Sequence, residues 1–149
     1  MPRIDFYLLA GVDPRDRRVY ACRLAEKAWR QGYRVYVRAA AEAETSLLDD
    51  LLWTFRQGSF VPHETHPGAS PETPILIGHG PAPENFGEVL VNLAADVPSD
   101  YGRFERVAEI IDQNADIKRD GRTRFRFYQD HGHEVQTHDL NELKSISKI

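Results

Sequence analysis

Residues 117 to 128 hold five basic side chains, Lys118, Arg119, Arg122, Arg124 and Arg126, against one carboxylate, Asp120. On a helix, Lys118, Arg122 and Arg126 recur every fourth residue and share one side, with Phe125 at its border. Like charges so spaced repel by roughly a few tenths of a kcal/mol per pair, so a solitary helix has no local reason to keep them. A partner supplies a reason. An acidic peptide with an apolar residue and a free terminal carboxylate would suit such a stripe: an arginine fork takes the carboxylate, the other cations take acidic side chains, and the aromatic edge takes the apolar group. A solvated face balanced by Glu105, Glu109 and Asp112 accounts for the same residues without a ligand. Single-stranded nucleic acid stacked on Phe125 and Tyr128 is a third option, although its field would oppose the acidic remainder of the chain.

Other chemistry is sparse. His63 and His66 are three apart beside Pro62 and Pro67, whereas the helical zinc motif needs histidines four apart, so a loop is expected there and no metal site. His131 and His133 flank Gly132, where a cation complements a helix C-terminus without any ligand. Cys22 falls in an alanine-rich helix interior, a setting that raises a thiol pKa. Asp49 and Asp50 are adjacent, project about 100° apart on a helix and form no dyad. No glycine-rich phosphate turn follows the first strand, and Gly78-His79-Gly80 runs into Pro81 and not into a helix, so neither a dinucleotide fingerprint nor a P-loop is present. Trp53 with Ser59-Phe60-Val61-Pro62-His63 offers a large aromatic pair on a proline-containing segment. It reads either as an apolar partner patch or as ordinary core.

A chain of 149 residues, 41% apolar and 28% charged, can bury about 70% of the surface its unfolded form exposes, enough for one substantial core. The net charge of −4 excludes a global basic field. That charge is unevenly spread: residues 1 to 38 carry nine basic and four acidic side chains, residues 39 to 116 three basic and fourteen acidic. A single cysteine cannot form an internal disulfide, and the apolar run Phe6 to Ala10 is too short for a signal core or a membrane span. A cytoplasmic protein without membrane contact is expected.

The elements that must position these residues alternate strand and helix. The near-continuous apolar run Ile4 to Leu9 predicts a central strand. Asp13 as N-cap, Pro14 in the first turn and Gly32 at the far end predict a helix over 14 to 31, with Cys22, Ala25, Ala28 and Trp29 inward and Arg15, Arg18, Lys27 and Arg30 outward. A strand over 33 to 38 completes a βαβ unit, so a parallel pair is expected. Ser46 with Asp49 predicts a capping box opening a helix through Leu48, Leu51, Leu52 and Phe55 to Gly58, with Trp53 off its stripe. Phe60 to His63 reads as an edge strand because Pro62 lacks a ladder donor. Residues 64 to 74, with prolines at 67, 71 and 74, read as a long loop. Strands are expected at 75–77, 89–93, 109–112 and 134–138, and helices from Ser99 or Asp100 toward Val107 and over 116–130. The fold expected is a single α/β domain over residues 1 to 149, a mostly parallel open sheet with helices on both faces, Rossmann-like without a nucleotide-binding turn.

These residues together resemble a known family. The Phe6-Tyr7-Leu8-Leu9 strand, Cys22, Ala25 and Trp29, Leu52-Trp53, Ser59-Phe60-Val61-Pro62-His63, Arg122, Arg124-Phe125-Arg126 and Tyr128 before Gly132 are similar, over nearly the full length, to the chi subunit of the bacterial DNA polymerase III holoenzyme. The resemblance implies a non-catalytic clamp-loader accessory with no cofactor. One side would bind the psi subunit through Phe60, with Trp53, Pro62 and His63 as secondary residues, and the same side is open to a competing helicase. The acidic tail of single-stranded DNA-binding protein would dock elsewhere, on Lys118, Arg122, Phe125 and Arg126 against Ile111, with Arg122 taking the terminal carboxylate. DNA would be reached only through that protein. Two departures accompany the match: Gly121 costs a helix interior about 1 kcal/mol relative to alanine and is expected to loosen the pocket, and Phe125 lacks the hydroxyl a tyrosine would add. The competing reading is an α/β nucleotide-processing enzyme using Asp13 and His79, nearest the strand ends.

Overall fold

The structure is a computed structural model that describes residues 2–55, 60–70 and 72–140. Among the described residues seven parallel strands form one open sheet, in the order β3-β4-β2-β5-β6-β1-β7. They are β1 (Arg3–Leu8), β2 (Val35–Arg38), β3 (His63–Thr65), β4 (Ile75–Gly78), β5 (Val89–Asn92), β6 (Arg106–Ile111) and β7 (Val135–Asp139). The helices are α1 (Pro14–Arg30), α2 (Glu42–Thr54) and α3 (Ala115–Asp130). Alternation along the strands feeds two cores. Val35, Val37, Ile75, Ile77, Val91 and Ile110 meet α1 and α2 on one face. Ile4, Phe6, Tyr36, Leu76, Leu90 and Ile111 meet α3 and the segments on either side of β5, through Ala82, Phe86 and Phe104, on the other. Sheets buried on both faces require such nearly continuous apolar strands.

α1 follows its sequence signals closely. The Asp13 carboxylate accepts the Arg15 amide at 2.9 Å, and Gly32 takes φ +92°, the left-handed conformation that ends a helix. Arg18, expected in water, is partly buried and pairs with Glu44 at 3.1 Å. Four other expectations are corrected. β1 and β2 are parallel but do not pair, because β5 and β6 lie between them, and β1 stands one strand from the margin. α2 starts at Glu42 and not at Ser46; Ala41 provides no side-chain cap, and Glu44 reaches back to the Ala40 amide instead. β3 begins at His63, after Pro62, because the proline has no N–H for the ladder. The helix expected over 99–107 shrinks to a 3₁₀ turn, Tyr101–Arg103, since Arg106 and Val107 are claimed by the register with β1 and β5. Gly58, the expected end of the second helix, lies outside the described residues.

β1 and β6 are neighbours whose following helices leave to opposite faces, α1 to one and α3 to the other. Open α/β sheets bind ligands in the crevice such a divergence creates. Here Gln113 ties the segments that follow β1 and β6 together, its backbone N–H donating to the Gly11 carbonyl and its Nε2 to the Leu9 carbonyl, each at 2.9 Å.

Candidate functional site

α3 divides its basic residues by face. Asn114 caps the helix, accepting the amides of Asp116 and Ile117. Arg124 points inward and is 2% exposed; it donates to Glu109 at 3.0 Å and to the Ala95 carbonyl at 2.7 Å. Tyr128 at 2.8 Å and Asn92 at 3.0 Å complete the ring of donors on Glu109. Burial pushes the Glu109 carboxyl up from the ordinary carboxylate value, against the pull of the Arg124 guanidinium and those hydrogen bonds. Burial and the Glu109 charge likewise raise the Tyr128 phenol. Arg119 is exposed and engaged locally, with Asp116 and Asp120, each at 3.2 Å. Glu109 thus neutralises Arg124 and leaves the outward stripe alone. The side chains of Arg122 and Arg126 make no hydrogen bond or ion pair with another described residue, and among the described residues the Lys118 ammonium meets only the Gln113 side-chain oxygen, at 3.2 Å.

Beside that stripe a cavity of about 340 Å³ opens between α3 and the sheet. Its apolar walls are Phe6, Leu8, Ile111 and Phe125, and Lys118 and Arg122 stand over it. Phe125 is braced edge-on by Phe6, with ring centroids 5.1 Å apart. Four of the five residues expected at this site, Ile111, Lys118, Arg122 and Phe125, therefore line one cavity. Arg126 does not line it and lies one turn farther along α3. Gly121, expected to loosen the pocket, instead allows close packing: a Cβ there would lie 2.6 Å from Ile111 Cδ1. Gln113 and Thr137 also line the cavity and had no sequence signal, because both are ordinary polar residues brought there by the β6–α3 turn and by β7.

At the opposite margin of the sheet, Trp53 is 49% exposed and Phe60 65%, which decides against a core role for either. Their rings lie 5.5 Å apart. Pro62 is half-buried beside them. His63 is buried under Trp53, at 4.5 Å between rings, and is held by the Val61 carbonyl at 2.6 Å and the Asp49 carbonyl at 3.1 Å, so it supports the patch from below. Leu47, 45% exposed on the outward face of α2, was not singled out by sequence, because a helix opening at Ser46 gives residue 47 no defined face.

A family model for the DNA polymerase III chi subunit, HolC, matches residues 1–136. The chain belongs to the DNA polymerase III chi subunit family. The DNA polymerase III subunit chi of Pseudomonas aeruginosa is 43% identical over 143 residues, covering 96% of this chain and all of the relative. The Haemophilus influenzae subunit chi is 26% identical over 138 residues, 91% of this chain and 96% of the relative. That of Escherichia coli is 26% identical over 129 residues, 78% and 80% of the two chains. In fold, the chain is similar to T4 UvsW, with a TM-score of 0.60 and 13% identity over 93% of this chain; it spans 42% of the length of that protein. Membership of the chi family makes this chain an accessory of DNA replication.

The other candidates in this chi-family chain are placed as follows. Burial pushes the Cys22 thiol up to about 12, which keeps it protonated. Asp13 is the α1 cap, and His79 is exposed on the loop after β4. His131 ends α3 with Nδ1 2.8 Å from the Phe127 carbonyl, and His133 meets the Tyr101 hydroxyl at 3.0 Å. Among the described residues no helix is long and apolar enough to cross a membrane.

Proposed function

We propose that this chain is a non-catalytic adaptor that links the clamp loader to protein-coated single-stranded DNA. The Trp53–Phe60 patch binds the psi subunit, and the cavity beside α3 receives the acidic C-terminal tail of single-stranded DNA-binding protein. The observation that carries the reading is an apolar hollow with two outward cations at its mouth, on a domain whose net charge is −4. Arg122 has no acidic neighbour to satisfy it among the described residues, and a guanidinium fork matches a terminal carboxylate. Lys118 is placed for an acidic side chain upstream, and the Phe6, Ile111 and Phe125 walls take the terminal apolar group. Because the two surfaces lie at opposite margins of one sheet, both partners can be held together.

Calorimetry with a peptide of the last ten or so residues of the cognate single-stranded DNA-binding protein tests the tail site. Amidating its final carboxyl group weakens binding by about 1.5 to 3 kcal/mol, as does Arg122→Ala in the protein, and the two losses are not additive because they remove the same contact. Unchanged affinity in both cases overturns the assignment.

A further inference from the structure

α2 carries Glu42, Glu44, Asp49 and Asp50 and no basic residue. Glu44 is spent on Arg18 and the Ala40 amide, and Asp49 lies 3.3 Å from His63. Glu42 and Asp50 are exposed and form no ion pair with another described residue. At 100° per residue, Leu47, Asp50 and Trp53 span an arc of about 120° with Asp50 in the middle, and they cover about 9 Å along the axis. Leu47 and Trp53 are also exposed, and Phe60 extends the apolar surface past the end of the helix. An outward helix face with two large apolar side chains bracketing a carboxylate that is unpaired among the described residues is the complement of an amphipathic, cationic element.

We infer that the psi contact runs along the whole outward face of α2, from Leu47 to Trp53 and on to Phe60, and that its occupant is a basic amphipathic helix of the partner. This helix places apolar residues over Leu47, Trp53 and Phe60 and a lysine or arginine against Asp50, with Glu42 extending the acidic track toward the start of α2. The inference rests on the reading of the Trp53–Phe60 patch as the psi side and adds its extent and the chemistry of what covers it. Apolar anchors supply the affinity; the carboxylates set orientation and speed of encounter.

The test is titration of the cognate psi subunit against three variants, each at an exposed position where substitution leaves the fold intact, checked by melting temperature. Phe60→Ala reports on the patch itself. Leu47→Ala is expected to weaken the complex about fivefold, and Asp50→Lys about tenfold at low salt, the latter effect shrinking as ionic strength rises to about 0.5 M. Loss of affinity with Phe60→Ala while Leu47→Ala and Asp50→Lys stay within about twofold of the parent overturns the inference and leaves the psi reading standing. Full affinity in all three variants removes the psi reading as well. An Asp50→Lys effect independent of salt overturns the cationic character of the partner.

Discussion

The cavity beside α3 and the patch beside α2 occupy opposite margins and opposite faces of the same sheet, and they are made of opposite materials. The α3 site is a hollow whose cations are mounted on a helix pinned to the sheet from below: Arg124, Glu109, Asn92 and Tyr128 form a buried hydrogen-bonded set across β5, β6 and α3. The α2 patch is a flat apolar face bordered by carboxylates, at the edge strand β3, and its support is one buried imidazole, His63. On the proposed function, the first holds a defined anionic terminus in place and the second is covered by a partner. Charge recognition at an exposed surface loses most of its strength unless the charges are prepositioned, whereas apolar burial tolerates a looser frame, and the distribution of rigid support in this chain follows that difference.

The largest expected effect removes the support itself. Arg124→Ala leaves Glu109 without its cationic partner in a fully buried position, at a cost of about 3 to 5 kcal/mol of folding stability. Chemical denaturation measures the loss, and a change below about 1 kcal/mol would mean that the buried set does not fasten α3. At the other margin, Phe60→Ala removes a side chain that is two-thirds in water, so unfolding is unaltered while psi binding weakens by more than about 1 kcal/mol. A pull-down in which Phe60→Ala retains psi at parental strength, or a melting curve that shifts as far as that of Arg124→Ala, would erase the contrast between a fastened site and a covered one.

Much of this arrangement was legible in the chain. Asp13, Pro14 and Gly32 mark both ends of α1 because capping chemistry is local, and the i, i+4, i+8 spacing of Lys118, Arg122 and Arg126 sets them apart from Arg124. What local signals could not supply was order. Adjacent placement of β1 and β2 failed because β5 and β6, from far along the chain, pair between them. The start of α2 differs from its capping signal for a related reason: Glu44 reaches back to the Ala40 amide and also pairs with Arg18 of α1, a tertiary contact absent from any capping pattern. Arg17 shows the same limit. It lies in a run of charged residues, yet it is buried and donates to the Ile110 and Leu93 carbonyls at 2.8 and 3.3 Å, and burial lowers its pKa. Gly121 taught the converse lesson: judged by helix propensity it is a cost of about 1 kcal/mol, while in place it lets α3 approach Ile111.

Arg126 carries the smallest effect and the finest distinction. It shares the outward stripe with Arg122 and is likewise unpaired among the described residues, but it lies outside the cavity. If the tail binds as proposed, an upstream acidic residue meets Arg126 across solvent, so Arg126→Ala is expected to weaken the tail peptide by less than about 1 kcal/mol, with a loss that fades as salt is raised from about 0.05 to 0.5 M. Arg122→Ala, which removes a directed fork at the cavity mouth, keeps most of its effect over the same range. Equal losses with equal salt dependence would reduce α3 to a diffuse positive surface, and the cavity would then have no part in recognition.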